Sequence, residues 1–282
     1  MTAEKDIRGT SRKKVGLALG SGVARGLAHI GVLEVLEREG VPIDMIAGTS
    51  MGAIIGAAYA NGKTTEQMRE LALDLSWKKM VPLFDLTMPK TGFIGSRRIK
   101  RQLKELIGEV SFSDLAKPFA CVATDVITGE EVVFREGPVL DAVIASISLP
   151  LIFNATKWRG RYLVDGTLAT PVPVRALREM GADFVISANV LHYAGEKTHL
   201  HPEDVKEMKN PNVFSIMVQI VNILASRLVE GSLNGADIII EPNMLGIGLA
   251  DFGKVRECIR RGELAAQALI PEIKRRYAEN SD

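Results

Sequence analysis

The hydrophobic pattern opens with Val15-Gly16-Leu17-Ala18-Leu19, an apolar run between a polar N-terminal stretch and the turn residues Gly20-Ser21-Gly22. A short unbroken apolar run bounded by turn signals reads as a buried strand. A helix follows from about Ala24 to Glu39, then a second strand over Ile43–Gly48 and a second helix over Met51–Asn61. Two strand–turn–helix units in tandem predict a parallel sheet with helices on its faces. Thr64–Leu75 reads as a third, amphipathic helix, begun by the cap pattern Thr64-x-x-Gln67. Residues 77–95 break the rhythm: Trp77, Met80, Leu83, Phe84 and Phe93 crowd a segment that also holds Pro82, Pro89 and Gly92. A long apolar loop of this kind is uncommon unless functional, and a wall or lid over an apolar ligand competes here with a plain core cover.

The pattern then returns to regular elements. A helix is expected over Ser96–Ile107, a strong strand over Phe119–Thr124, and weaker strands over Glu131–Arg135 and Phe153–Trp158. Arg161–Val164 is a strand running into Asp165-Gly166, Pro173–Met180 a helix, and Asp183–Val190 a further strand. Residues 192–212 are polar, with prolines at 202 and 211, and read as a surface excursion. A largely helical part, 213–282, closes the chain: a helix near Val213–Glu230, a short strand over Ala236–Pro242, and a charged helix over Gly253–Ala278, bent or restarted at Pro271. No internal repeat or shift of composition divides the sequence, so residues 14–282 are expected to form one domain behind a mobile polar tail, 1–13.

Composition narrows the function classes. The chain has 282 residues, 46% hydrophobic and 24% charged, which is an ordinary globular balance with ample core. A formal net charge of +1 gives no reason to expect nucleic acid as a partner. The two cysteines, Cys121 and Cys258, lie far apart without metal-ligand spacing, and no cofactor motif is expected. The N-terminus has no apolar core of a secretory signal, and no stretch reaches about 20 uninterrupted apolar residues. A cytoplasmic protein is expected, with peripheral membrane contact left open and the oligomeric state unspecified.

Candidate chemistry centres on Gly48-Thr49-Ser50-Met51-Gly52, a G-x-S-x-G sequence between the second strand and the second helix. Glycines on both sides let the turn bend sharply, and the helix N-terminus beneath the serine favours a developing negative charge. The competing reading is an ordinary turn whose serine caps the helix. One unit earlier, Gly20-Ser21-Gly22-Val23-Ala24-Arg25-Gly26 is a glycine-rich loop opening a helix, an anion-binding device. It fails the dinucleotide spacing, because Arg25 stands at the third glycine position, and it lacks a Walker Gly-Lys-Ser/Thr. Both turns belong at the carboxyl edge of the sheet, where the glycine loop could supply oxyanion donors beside Ser50. None of His29, His192, His199 and His201 has a catalytic setting. Of the carboxylates, Asp165 at a strand end before Gly166-Thr167 is the better partner for Ser50; Asp125, before Val126-Ile127-Thr128-Gly129, is the rival and better suited to a turn.

These blocks, with Ala145-Ser146-Ile147-Ser148-Leu149-Pro150 and Val164-Asp165-Gly166, resemble those of the bacterial patatin-like phospholipase family in order and spacing, from about Val15 to Val190. The resemblance implies a three-layer α/β/α fold with a mainly parallel central sheet. It also implies a Ser–Asp dyad without histidine, which cleaves acyl esters of lipids in the manner of phospholipase A or lysophospholipase. Carried onto this chain, it makes Ser50 the nucleophile and Asp165 its proton acceptor. Backbone N–H groups of Gly22, Val23, Ala24 and Arg25 form the oxyanion hole, and Gly48, Gly52 and Gly166 shape the turns. Two departures stand out. Ser21 and Val23 interrupt what is usually a run of glycines, and Thr167 adds bulk where glycine or alanine is usual. A non-catalytic adaptor on the same fold, or a general small-ester esterase or thioesterase, are the alternatives.

Overall fold

β1 (Val15–Leu19) sits inside the sheet and is buried along its whole length. Val15, Leu17 and Leu19 join the larger apolar cluster, while Ala18 joins a second cluster on the opposite face. The two-residue repeat of a strand divides them this way, and a strand covered on both sides has no need of polar residues. The computed structural model describes residues 12–74, 92–150, 154–191, 213–249 and 251–279. The expected apolar loop therefore lies outside the described residues from 77 to 91, and the expected excursion over 192–212 lies wholly outside them.

β2 (Met45–Thr49) and β7 (Phe184–Ala188) flank β1 in parallel; β3 (Phe119–Asp125) pairs in parallel with β2, and β8 (Ile238–Ile240) with β7. β4 (Glu131–Phe134), β5 (Thr156–Trp158) and β6 (Arg161–Asp165) add antiparallel pairings, so the sheet is mixed. One helical layer holds α1 (Ala28–Arg38), α2 (Met51–Ala60), α3 (Thr65–Leu73), α4 (Gly92–Ile107), α5 (Val139–Ser146) and α8 (Val255–Glu279). The other holds α6 (Val174–Glu179) and α7 (Val213–Ser232). This is the expected three-layer α/β/α arrangement.

The register of β3 explains how the site arises. Cys121 and Val122 pair with β2 on one side and β4 on the other, whereas Ala123 and Thr124 pair with β4 and β6. A strand has two edges, so β2 and β6 share one of them and meet head to head. β2 ends at Thr49 opposite Val122, and β6 ends at Asp165 opposite Ala123. Two residues far apart in sequence are thereby delivered to one point.

Some boundaries differ from the sequence reading. The first helix begins as a tight 3-10 turn, Val23–Leu27, before α1; the N–H groups of Ala24 and Arg25 take the partners described below. The capping box at Thr64 and Gln67 is present. α4 starts at Gly92, earlier than the expected Ser96. α8 runs as one helix through Pro271, which forfeits a single N–H bond while Ile270 and Ile273 stay packed in the core. α8 also crosses α1 closely. A β-carbon on Gly31 would overlap the Ile259 carbonyl, and one on Gly262 the Ala28 carbonyl.

Candidate active site

Ser50 stands between β2 and α2 at φ 53, ψ −118, a conformation rarely held by a residue with a β-carbon. The turn is fixed by close packing. A β-carbon on Gly48 would overlap the Gly52 carbonyl, one on Gly52 the Leu19 carbonyl, and one on Gly166 the Val122 carbonyl. Strain of this kind persists where surrounding structure over-determines it. The Ser50 side chain does not cap α2. Its Oγ donates to Oδ2 of Asp165 at 2.7 Å across 115 residues of sequence.

Asp165 is 1% exposed and Ser50 7%. The other carboxylate oxygen, Oδ1, accepts from Thr167 N–H at 2.9 Å and Thr167 Oγ1 at 2.6 Å. Burial raises the Asp165 carboxyl to about 6, while the bonds from Thr167 and Ser50 pull the other way. Thr167 is therefore a donor to the Asp165 carboxylate and not merely added bulk. No local pattern signals this, because the direction of the hydroxyl depends on the 3-10 turn Gly166–Leu168.

The end of α5 ties the two strand ends together. Ser146 Oγ accepts the Ser50 N–H at 2.9 Å, and the Ser148 carbonyl accepts the Asp165 N–H at 3.0 Å. Thr124 Oγ1 adds a bond to the Asp165 carbonyl at 2.9 Å. The sequence block around Ser146 and Ser148 was legible as part of the constellation, but its stapling role was not. Asp125 takes the turn role: its Oδ1 accepts from Ile127 N–H at 2.9 Å.

The glycine loop lies beside Ser50. Of its four expected donors, two are already engaged. Ala24 N–H donates to the Leu249 carbonyl and Arg25 N–H to the Gly22 carbonyl, both at 3.0 Å. Gly22 N–H and Val23 N–H have no acceptor among the described residues. Val23 holds φ 48, an outlier for a β-branched residue. Arg25 turns to the loop before α8, where its Nε donates to the Ile247 carbonyl at 2.7 Å. His29 is buried, and its Nε2 donates to the Gly20 carbonyl at 2.7 Å. Burial lowers it to about 4, so it stays neutral and props the loop. His192, His199 and His201 lie outside the described residues.

Ser50, Ser21, Gly22, Val23 and Thr167 line a small cavity. Leu149, Leu191 and Leu249 add apolar wall, and α7 contributes Val221, Asn222 and Ala225. A hydroxyl bonded to a buried carboxylate, unpaired backbone donors and an apolar wall together suit acyl transfer from an apolar ester.

A family model described as patatin-like phospholipase matches residues 17–178. The NTE family protein Rv1063c of Mycobacterium tuberculosis is 36% identical over 184 residues, covering 65% of this chain and 51% of the relative. Lysophospholipase NTE1 of Scheffersomyces stipitis is 27% identical over 273 residues, covering 89% of this chain and 18% of the relative. The chain thus spans about half the length, or less, of these relatives. The solved structure of VipD from Legionella pneumophila shares the fold, with a TM-score of 0.56 and 14% identity over 95% of this chain and 69% of that one.

Proposed function

The chain belongs to the patatin-like phospholipase family, and from that premise we propose that it hydrolyses carboxylic esters of lipids, with Ser50 as nucleophile and Asp165 as its proton acceptor. The observation that carries the reading is the 2.7 Å bond from Ser50 Oγ to a buried carboxylate whose other oxygen is held by Thr167. Oδ2 is thereby left to serve Ser50 alone among the described residues. The similarity to a lysophospholipase and the apolar wall of the cavity favour a lipid substrate.

In this mechanism Ser50 Oγ attacks the ester carbonyl carbon as its proton passes to Asp165 Oδ2. The tetrahedral oxyanion rests on the N–H groups of Gly22 and Val23. Collapse breaks the carbon–alkoxy bond, and Asp165 returns its proton to the leaving alcohol. Water then attacks the acyl-Ser50 ester, giving a proton to Asp165; collapse releases the fatty acid, and Ser50 recovers its proton.

A peripheral contact with a membrane and a cytoplasmic location belong to the same proposal. No helix among the described residues is long and apolar enough to cross a membrane. The outward face of α7, however, carries Ile216, Ile220, Ile223, Leu224 and Leu228, each 38–47% exposed. We also assign the chain from residue 14 onward to one domain, because the described elements from β1 to α8 build one sheet and its two layers.

A fluorophosphonate probe and an ester panel test the assignment. Wild type should be labelled stoichiometrically at Ser50 and hydrolyse lysophospholipid or phospholipid. Ser50→Ala and Asp165→Asn should lose at least about 10³-fold in kcat. Absence of labelling in folded wild type favours a non-catalytic protein. Full activity in Ser50→Ala assigns the nucleophile elsewhere.

A further inference from the structure

Of the three cavity-lining residues that carry a hydroxyl, Ser21 alone has one with no hydrogen-bond partner among the described residues. Ser50 Oγ and Thr167 Oγ1 are both committed to Asp165. Ser21 is 2% exposed, and its Oγ is buried without an acceptor or donor. The residue is firmly held, since its own N–H donates to the Pro171 carbonyl at 2.9 Å and the preceding Gly20 N–H to the Ala188 carbonyl at 3.0 Å. A buried hydroxyl left unpaired costs about 1–3 kcal/mol, which glycine or alanine at this position would avoid. The resemblance to a glycine run at this loop makes the serine an addition and not a packing necessity.

The neighbours indicate what the hydroxyl lacks. The next two residues, Gly22 and Val23, also line the cavity, and their N–H groups are likewise without acceptors. Both can only donate, whereas a serine hydroxyl can donate or accept. Three adjacent unpaired groups that can all donate call for one acceptor, an oxygen carrying or developing negative charge. We infer that the Ser21 hydroxyl is a third, side-chain donor to the oxyanion formed when Ser50 attacks, alongside the Gly22 and Val23 N–H groups. This rests on the ester-hydrolase reading above. It makes Ser21 a catalytic residue whose bond strengthens as charge develops on the oxygen, so its effect belongs in kcat and not in KM.

The test compares wild type, Ser50→Ala, Ser21→Ala and Ser21→Thr on p-nitrophenyl butyrate, with the rate of fluorophosphonate labelling and the Tm of each. Ser21→Ala should lower kcat by about 10²-fold with KM held within about two-fold, and slow labelling in parallel. Its Tm should hold or rise, and Ser21→Thr should recover part of the rate. Three results overturn the inference while leaving the hydrolase reading intact: unchanged kcat in Ser21→Ala, a rise in KM alone, or a kcat loss that tracks a fall in Tm and is not rescued by threonine. A wild type with neither Ser50-dependent hydrolysis nor labelling overturns both.

Discussion

Asp165 can take a proton from Ser50 only as the carboxylate, and burial holds its carboxyl at about 6 in place of the ordinary 3.8. Under the dyad proposal, kcat/KM should therefore rise with pH through about 6 and level off above it. Thr167→Val deletes the 2.6 Å bond that favours the charged form. The rising limb should move to higher pH, with activity falling several-fold at pH 6 and much less at pH 8; an unmoved limb would separate Thr167 from the titration. The stability linkage runs the opposite way to activity. A carboxyl with a raised folded pKa binds its proton more tightly when folded, so its stabilising contribution is complete below about 4 and lost as pH rises through about 6. Urea unfolding should find Asp165→Asn more stable than wild type by roughly 1–3 kcal/mol at pH 7.5, with the gap closing near pH 4. Ser50 and Asp165 were legible in the sequence because a glycine-bounded serine and a strand-end aspartate carry their context with them. The contributions of Thr167, Ser146 and Ser148 were not, because each depends on where a short turn aims one hydroxyl or carbonyl.

β1, β2 and β3 announce themselves as apolar runs, and the structure places each close to its expected bounds. Their neighbours were less legible. That β6 continues the edge of β3 where β2 stops is a matter of long-range register, which no local pattern encodes. The same holds for the crossing of α1 and α8. Glycine inside a helix costs propensity, and only the approach of Ile259 shows why nothing larger fits at Gly31. Gly262→Ala should accordingly destabilise by about 1–3 kcal/mol, despite alanine's better helix propensity, because its β-carbon meets the Ala28 carbonyl. Gly231→Ala in the last turn of α7 is the matching control: nothing lies within 4 Å of the added carbon, and a gain of roughly 0.5–1 kcal/mol is expected. Denaturant midpoints at constant m-value read both. Equal effects at the two sites would mean that propensity, and not the close crossing, governs Gly262.

The family match ends at residue 178, yet the cavity does not. Leu191, three residues of α7 and Leu249 complete its wall, and the Leu249 and Ile247 carbonyls hold the glycine loop through Ala24 and Arg25. The resemblance runs only to about Val190 because a wall asks only for apolar bulk, which many sequences supply. α7 therefore works on both faces. Val221 and Ala225 face the cavity, while Ile216, Ile220, Ile223, Leu224 and Leu228 face outward. With a net charge of +1 the chain has little general electrostatic pull toward a lipid surface, so attraction must come from inserting apolar side chains, each worth up to about 1.5–3 kcal/mol when fully buried. Ile220→Glu combined with Leu224→Glu should weaken co-sedimentation with phosphatidylcholine vesicles and cut hydrolysis of vesicle lipid by about 10-fold or more. Turnover of a soluble short-chain ester should stay near wild type, since neither side chain touches the reacting groups. Parallel loss on both substrates would mean that the stripe supports the cavity wall, and unchanged vesicle binding would remove α7 from the membrane contact altogether.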